Sequence, residues 1–444
     1  MIRRRVAIIG GGASGALAAI ALARRFDPAE LAVIEPREEV GRGLAYSTPE
    51  PAHLLNVRAA NMSALADVPD DFVAWLARNG HAADPEAFVA RRVWGEYAHA
   101  RFLESGVAHL RTTAASIEAG PDGAAIQLAS GDRLLAERVV LAMGHAPPVD
   151  VADIGANLRR SGRYVRDVWG DWPHLPGGEE HVVLIGSGLT AVDTLLRLRR
   201  HGHRGPVVMV SRHGLLTRSH GAVAPMSRCV VPPETPPAAL AYFRAFREAV
   251  RRGVPWRAAI DSVRGSSNLL WDRLDLEEKR RFRRHLFHLW NTARHRMAPE
   301  VASCVKTELE RGTLLVRRGH VAGLAIEAEG VSASVRTIAG VERIRTGYVF
   351  NCSGPDTNFL RADVPLARRL IDAGHATTGQ MGVAFAMSGN GALLDIRGRR
   401  SERFYAIGPL RAGMTFETTA IPEIRQQARE LSSALHHEDG PESS

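Results

Sequence analysis

The most constraining feature of the 444-residue chain lies within its first 35 residues. Val6 to Ile9 is a short apolar run of the kind a buried parallel strand shows, and it leads into Gly10-Gly11-Gly12-Ala13-Ser14-Gly15 and a helix-forming run from 16 to 25. This is strand, G-x-G-x-x-G, helix. Gly10 suits a tight turn, Gly12 lets the backbone approach a pyrophosphate, and Gly15 lets helix and strand pack closely. Ser14 stands in the opening turn, where helix N–H groups face a bound phosphate. A second strand, 31 to 34, ends in Glu35. That is about 20 residues beyond Gly15, the spacing at which a carboxylate accepts hydrogen bonds from a ribose 2′-OH. A 2′-phosphate would meet a like charge there. A glycine-rich turn in an ordinary α/β domain is the bland alternative, and it does not explain why strand, loop, helix, strand and acid coincide.

The pattern recurs at Val182 to Ile185, followed by Gly186-Ser187-Gly188-Leu189-Thr190-Ala191, a helix through about Arg200 and a strand from 207 to 210. Gly186, Gly188, Thr190 and Ala191 form a G-x-G-x-x-A loop, with Ala in place of the last Gly. The ribose-reading position is Ser211, followed by Arg212. A small hydroxyl and an arginine suit a 2′-phosphate, which favours NADPH over NADH; alternatively, Arg212 and His213 are a solvated turn. Two unequal dinucleotide sites suggest that FAD is held permanently while a nicotinamide cofactor visits.

Composition narrows the partners. The formal net charge of +9 favours an anionic partner, and two phosphate-rich cofactors satisfy that. Aromatics are only 6% and the basic residues are spread along the chain, so a nucleic-acid role lacks its usual aromatic interleaving. Cys229, Cys304 and Cys352 form no C-x-x-C pair, which argues against a disulfide scaffold, a cysteine-based zinc site and a redox dithiol. Arg3, Arg4 and Arg5 before an apolar stretch imitate a secretory signal, but Gly10 to Gly12 interrupt it. No other run approaches the roughly 20 apolar residues of a membrane span, so the expectation is a cytoplasmic protein without membrane contact.

Between the motifs, 106 to 141 reads as a β-meander that ends in a strand running into Gly144-His145. A matching strand runs into Ser353-Gly354, and both glycines stand where the chain would cross between nested domains. Residues 233 to 312 turn helical and basic, with helices expected over 238–252, 277–296 and 299–311. The β-rich stretch after Gly312 is expected to return to the first domain. The chain ends with a strand, Gly408 and a helix from about Pro422 to Leu435, whose N-terminus could face the negative pyrimidine end of a reduced flavin. The expected architecture is α/β: two nested Rossmann-like dinucleotide-binding domains, three-layered, with a helical insertion. The FAD domain comprises 1–178 and 346–444, and the NAD(P)H domain 179–345.

Glu35, then Gly41-Arg42-Gly43-Leu44-Ala45-Tyr46-Ser47, His53-Leu54-Leu55-Asn56-Val57, Asn61-Met62-Ser63 and Asp70-Asp71-Phe72, together with Gly186 to Asp193, form a set of motifs. Together they resemble the FAD/NAD(P)-binding monooxygenase-like family that includes bacterial FAD-dependent urate hydroxylase and the flavin-dependent L-aspartate N-monooxygenase. The resemblance spans residues 4 to about 430. It implies Tyr46, Leu55 and Asn56 beside the flavin, with Tyr46 and Met62 as simple core packing the alternative. It further implies NAD(P)H reducing FAD and oxygen transfer through a flavin C4a-hydroperoxide to a small electron-rich substrate. Urate hydroxylation to 5-hydroxyisourate is the first expectation. An amino-acid or amine N-monooxygenase, or a flavin oxidoreductase without oxygen insertion, is the alternative. An anionic substrate calls for arginines, and Arg294, Arg296 and Arg411 are candidates. His295 is a candidate for tuning protonation, while residues 294 to 296 also read as the exposed basic end of a helix.

Overall fold

The computed structural model describes residues 2–438, which divide into two compact units. The first comprises 2–51, 57–147 and 356–438, the second 52–56 with 148–355.

In the first unit the strand Ile2–Ile9 runs parallel to Leu31–Ile34 on one side and to Arg133–Leu141 on the other. Ala108–Leu110 extends the sheet beyond Leu31–Ile34, and Arg400–Ala406 followed by Ala392–Leu394 extends it beyond Arg133–Leu141. Val6 to Ile9 are buried on both faces, as their uninterrupted apolar run requires. The helix Ala13–Leu22 packs with Arg91–Glu104 and with the C-terminal helix Ile421–Glu438. Ala7, Ile9, Ala32 and Ile34 face a core shared with the antiparallel meander Ala114–Gly120, Gly123–Leu128, Arg133–Leu141 and with Phe359, Leu370 and Phe385. Helices, parallel sheet and meander give the three layers.

The second unit is built on a fully parallel sheet in the order Leu314–Arg318, Val207–Ser211, Val182–Ile185, Tyr348–Asn351, Tyr164–Val165. A three-stranded antiparallel sheet, His320–Glu327, Gly330–Thr337 and Gly340–Thr346, packs its Val321, Ala333 and Val335 against it. The fold is therefore mixed α/β with two Rossmann-like parallel sheets.

Two details differ from the sequence expectation. The β-rich stretch after Gly312 stays in the second unit, because Leu314–Arg318 pairs in register with Val207–Ser211. The units divide at 147/148 and 355/356 rather than at 178/179 and 345/346, since Tyr164–Val165 is an edge strand of the second sheet. The helical region also carries more, shorter helices: Ala239–Arg251, Trp256–Arg264, Ser267–Arg273, Leu276–His285, Phe287–Arg294 and Pro299–Glu310. The continuous run expected over 277–296 is interrupted at Leu286, where φ is −119°.

Candidate functional site: two unequal glycine loops

In the first unit each loop glycine meets a distinct steric demand. Gly10 has φ +99°, and a Cβ there would lie 2.5 Å from the Ala142 carbonyl oxygen. A Cβ on Gly15 would lie 1.9 Å from the Gly10 oxygen, so the helix is seated directly on the turn. Gly12 is the helix N-cap, and the N–H groups of the following turn have no partner within the helix. Above it passes a second segment: Gly41 N–H donates to the Gly11 oxygen (2.7 Å), and Gly43, at φ +53°, would place a Cβ 2.9 Å from Gly12 Cα. Two backbones thus enclose a narrow cradle of amide groups.

Glu35 closes one side. It is 7% exposed, and its carboxylate accepts from Gly11 N–H (2.7 Å) and Arg37 N–H (3.1 Å). Those bonds leave each oxygen a further lone pair for a hydroxyl donor. Sequence reasoning passed over Gly11, whose Cβ would lie 2.6 Å from that of Glu35. The third glycine of Gly10-Gly11-Gly12 was the available signal.

On another side Gly408 (φ +71°) reaches Ser14: a Cβ on Gly408 would fall 2.2 Å from Ser14 Oγ. Gln427 fixes this approach by accepting from Gly408 N–H (2.8 Å) and donating to Thr418 Oγ1 (2.9 Å), while Thr418 donates to the Gly408 oxygen (2.8 Å). Periodicity carries no trace of this buried network. Tyr46 packs against Trp94 at 4.1 Å between ring centroids with the rings tilted by 46°, and burial keeps its phenol protonated. Met62 is 1% exposed, as core packing requires. Gly144 has φ +71° in open space.

Arg411 is 3% exposed in the short turn Gly408–Gly413, and burial lowers its pKa. Its Nη2 donates to the Gly389 oxygen (2.5 Å), and its Nε has no hydrogen-bond partner among the described residues. A strained stretch packs against the same turn: Met381 (φ 62°) and Ala384 (φ 43°) adopt left-handed backbone, and a Cβ on Gly379 would lie 2.5 Å from Gly413 Cα.

The second unit presents the other loop. Gly186 has φ +122°, and its Cβ would lie 2.4 Å from the Cys352 oxygen, while Gly188 opens onto free space. Ala191, fully buried at the position equivalent to Gly15, accommodates its Cβ, so this helix stands further from its turn. Thr190 follows in the opening turn and its carbonyl accepts from Thr194 Oγ1 (2.8 Å). Ser187 donates to Ser211 Oγ (2.7 Å), which also accepts from Gly214 N–H (3.1 Å). Beside Ser211 stand exposed Arg212 and His213, the latter stacked on His288 at 3.7 Å and 12°. Desolvation and then Arg212 and Arg318 lower the pKa of His213; His288 is lowered by desolvation, then by His213 and Arg212. This corner is cationic, with no carboxylate at the ribose position. Gly354 has φ +89° in open space.

Leu55 and Asn56 group with the second unit rather than the first. Leu55 is 3% exposed, and the Asn56 oxygen accepts from His220 Nε2 (3.0 Å). The neighbouring His53 Nε2 lies 2.9 Å from the Asp193 oxygen.

The segment 294 to 296 corrects two expectations. It is not an exposed helix end: Arg294 is 7% and Arg296 4% exposed, and Arg296 pairs with Asp261. His295 does not titrate near neutrality, because burial, then Arg294 and Arg264, hold it down to about 4. Cys352 is buried, with burial pushing its thiol up to about 12, and all three cysteines are free thiols.

Residues 7–146 match the family described as FAD-NAD(P)-binding, and so carry an FAD-NAD(P)-binding domain. No curated protein sequence matches. Ornithine hydroxylase PvdA from Pseudomonas aeruginosa is similar in structure at 15% identity and TM-score 0.68, over 98% of this chain and 99% of that one. An ornithine N-hydroxylase from Kutzneria sp. 744, with reduced FAD, NADP+ and L-ornithine, is similar at 14% and 0.64, over 99% and 100%. Bacillithiol disulfide reductase Bdr from Staphylococcus aureus is similar at 14% and 0.59, again over 99% and 100%. At these identities the likeness is one of fold.

Proposed function

We propose that the chain is an FAD-dependent, NADPH-consuming N-monooxygenase acting on a small amino acid or amine. The observation that carries the cofactor reading is the pair of unequal loops: one enclosed and ending in an acid, the other open and ending in Ser211-Arg212-His213. The first fits FAD, because its cradle is lined by backbone alone: a Cβ on Gly43 would lie 2.9 Å from Gly12 Cα, and one on Gly12 3.4 Å from Gly43 Cα. The likeness to ornithine hydroxylases over nearly the whole chain supports nitrogen as the site of hydroxylation and does not favour urate.

When bound, FAD supplies electron transfer from NADPH and the activation of O2. The chain contributes position and electrostatics. Amides around Gly12 and Ser14 hold the pyrophosphate, and Glu35 orients the ribose by accepting from its hydroxyls. Gly144, with open space where a side chain would stand, leaves room for the rest of the cofactor, and Gly408 is proposed to bring its backbone beside it through its close approach to Ser14. Tyr46, Leu55 and Asn56 are proposed flavin neighbours, and Gly354 a neighbour of the nicotinamide nucleotide. Gly186, Gly188, Thr190 and Ala191 carry the NADPH pyrophosphate, while Ser211, Arg212 and the cationic corner with Arg318 hold its 2′-phosphate. Arg411, a buried cation whose Nε has no hydrogen-bond partner among the described residues, suits a carboxylate of the substrate. Arg296, pinned by Asp261, and neutral His295 serve as positioning residues in the second unit. Overall, an amine, NADPH, H+ and O2 give the hydroxylamine, NADP+ and water.

A flavin oxidoreductase without oxygen insertion is the second reading, given the likeness to Bdr. The buried, protonated Cys352 and the absence of a paired dithiol weigh against disulfide chemistry. FAD-loaded protein supplied with NADPH, 18O2 and either L-ornithine, L-lysine, L-aspartate or urate separates these readings. The proposal expects label in a hydroxylamine product of one amine. Oxidation of NADPH with all the label in peroxide or water, or label in urate alone, would overturn it.

A further inference from the structure

The first unit holds a cavity toward the end of its first helix that lies away from the glycine loop. It occupies about 490 Å³ between the C-terminal half of the helix Ala13–Leu22, the loop 64–67 and the C-terminal helix. Gly12 caps one end of that first helix and the cavity opens at the other, about 15 Å along at 1.5 Å per residue. Leu17, Ile20, Ala21, Ala64 and Ala428 floor it, and Ser432 Oγ ties the two helices together by donating to the Ala21 oxygen (2.8 Å).

Its rim is strongly cationic. Among the described lining residues, Arg24, Arg25, Arg425 and Arg429 face one carboxylate, Asp67. Arg24 pairs with Asp67, whose carboxyl is held below the usual range chiefly by that contact. Arg425 is anchored by donating to the Ser63 oxygen (2.8 Å). Arg425 and Arg429 are also four residues apart on one helix, where like charges repel. The carbonyl end of the first helix offers only about half an elementary charge against this excess. A surface kept for solubility would intersperse signs; here four arginines converge from two chain segments on an apolar-floored cavity, against the single Asp67 of a third.

We propose that this cavity is a binding site for a small polyanion, a multiply charged phosphate or carboxylate compound distinct from the dinucleotide cofactors. The arginines hold the anionic groups and the floor receives an uncharged portion. Asp67 orients Arg24 and limits the net charge of the site. This inference does not rest on the reaction proposed above.

Calorimetric titration of the full, FAD-loaded chain in saturating NADP+, which blocks the nucleotide sites, tests it. The probes are pyrophosphate and citrate, with sodium chloride of equal ionic strength as control. One saturable site is expected for at least one probe, and which of the two binds more tightly separates phosphate from carboxylate recognition. The double variant Arg25→Glu/Arg429→Glu, at exposed positions, should weaken it at least tenfold without loss of FAD. Asp67→Asn should tighten it severalfold. If charge reversal impairs folding, Arg25→Gln/Arg429→Gln serves the same purpose. Absence of saturable binding of both probes, or binding unchanged by the arginine variants, would overturn the proposal.

Discussion

The two glycine loops share a backbone plan and differ in closure. At Gly15 the helix rests on the Gly10 oxygen, the segment 41–43 crosses above Gly12, and Glu35 is fastened to Gly11. At the second loop Ala191 replaces that glycine, Gly188 faces open space, and the strand ends in the exposed Arg212 and His213. Enclosure suits a cofactor that stays, and openness suits one that must leave on every turnover. The difference lies in side chains and crossings around the loop rather than in the loop itself.

The largest test of this contrast is steric. Gly15→Ala should cost about 3 kcal/mol or more, since the intruding methyl meets backbone and not a movable side chain. Gly188→Ala should shift stability by less than about 1 kcal/mol, because that methyl meets nothing within 4 Å. Chemical denaturation of both variants measures the difference.

Acidity gives the next test. His295 in the second unit has a folded pKa of about 4 against an ordinary 6.5. The unfolded chain therefore takes up a proton in this window before the folded one does, so stability is full above pH 6.5 and falls as pH drops toward 4. The loss from this residue is at most about 3 kcal/mol, and His295→Gln should flatten the slope in denaturation curves taken across that window. His203, also lowered chiefly by burial, adds to the second unit in the same direction.

Ligand selectivity gives a smaller, sharper effect. Glu35→Gln should weaken FAD binding roughly tenfold to a hundredfold, the range for a hydrogen bond to a charged group. Arg212→Ala should raise KM for NADPH by a similar factor of about ten to a hundred and leave NADH nearly unchanged. Smallest of all, His288→Ala, which removes the ring stacked on His213, should change KM for NADPH by no more than about threefold.

Much of this contrast was legible in the sequence. Both loops, their strands and the Glu35/Ser211 distinction follow from local spacing, because a phosphate-binding turn is a short-range object. What escaped was long-range. Gly408 meets Ser14 only through a chain reversal, and the Gln427–Thr418 pair that fixes it has no periodic signature. Residues 52–56 group with the second unit although they lie between segments of the first, which composition cannot show. The run Arg294-His295-Arg296 looked like a solvated helix end, since nothing in those letters reveals Asp261 as a partner. The strain at Met381 and Ala384 is equally silent, because neither residue type advertises a left-handed backbone.

The central claim is that the two loops hold different cofactors, and a paired binding measurement tests it most directly. FAD content and KM for NADPH are determined for Glu35→Gln and Arg212→Ala side by side. The account predicts that Glu35→Gln loses FAD while flavin-replete enzyme keeps its KM for NADPH, and that Arg212→Ala keeps FAD and raises that KM. Loss of the same ligand in both variants, or no loss in either, would contradict it.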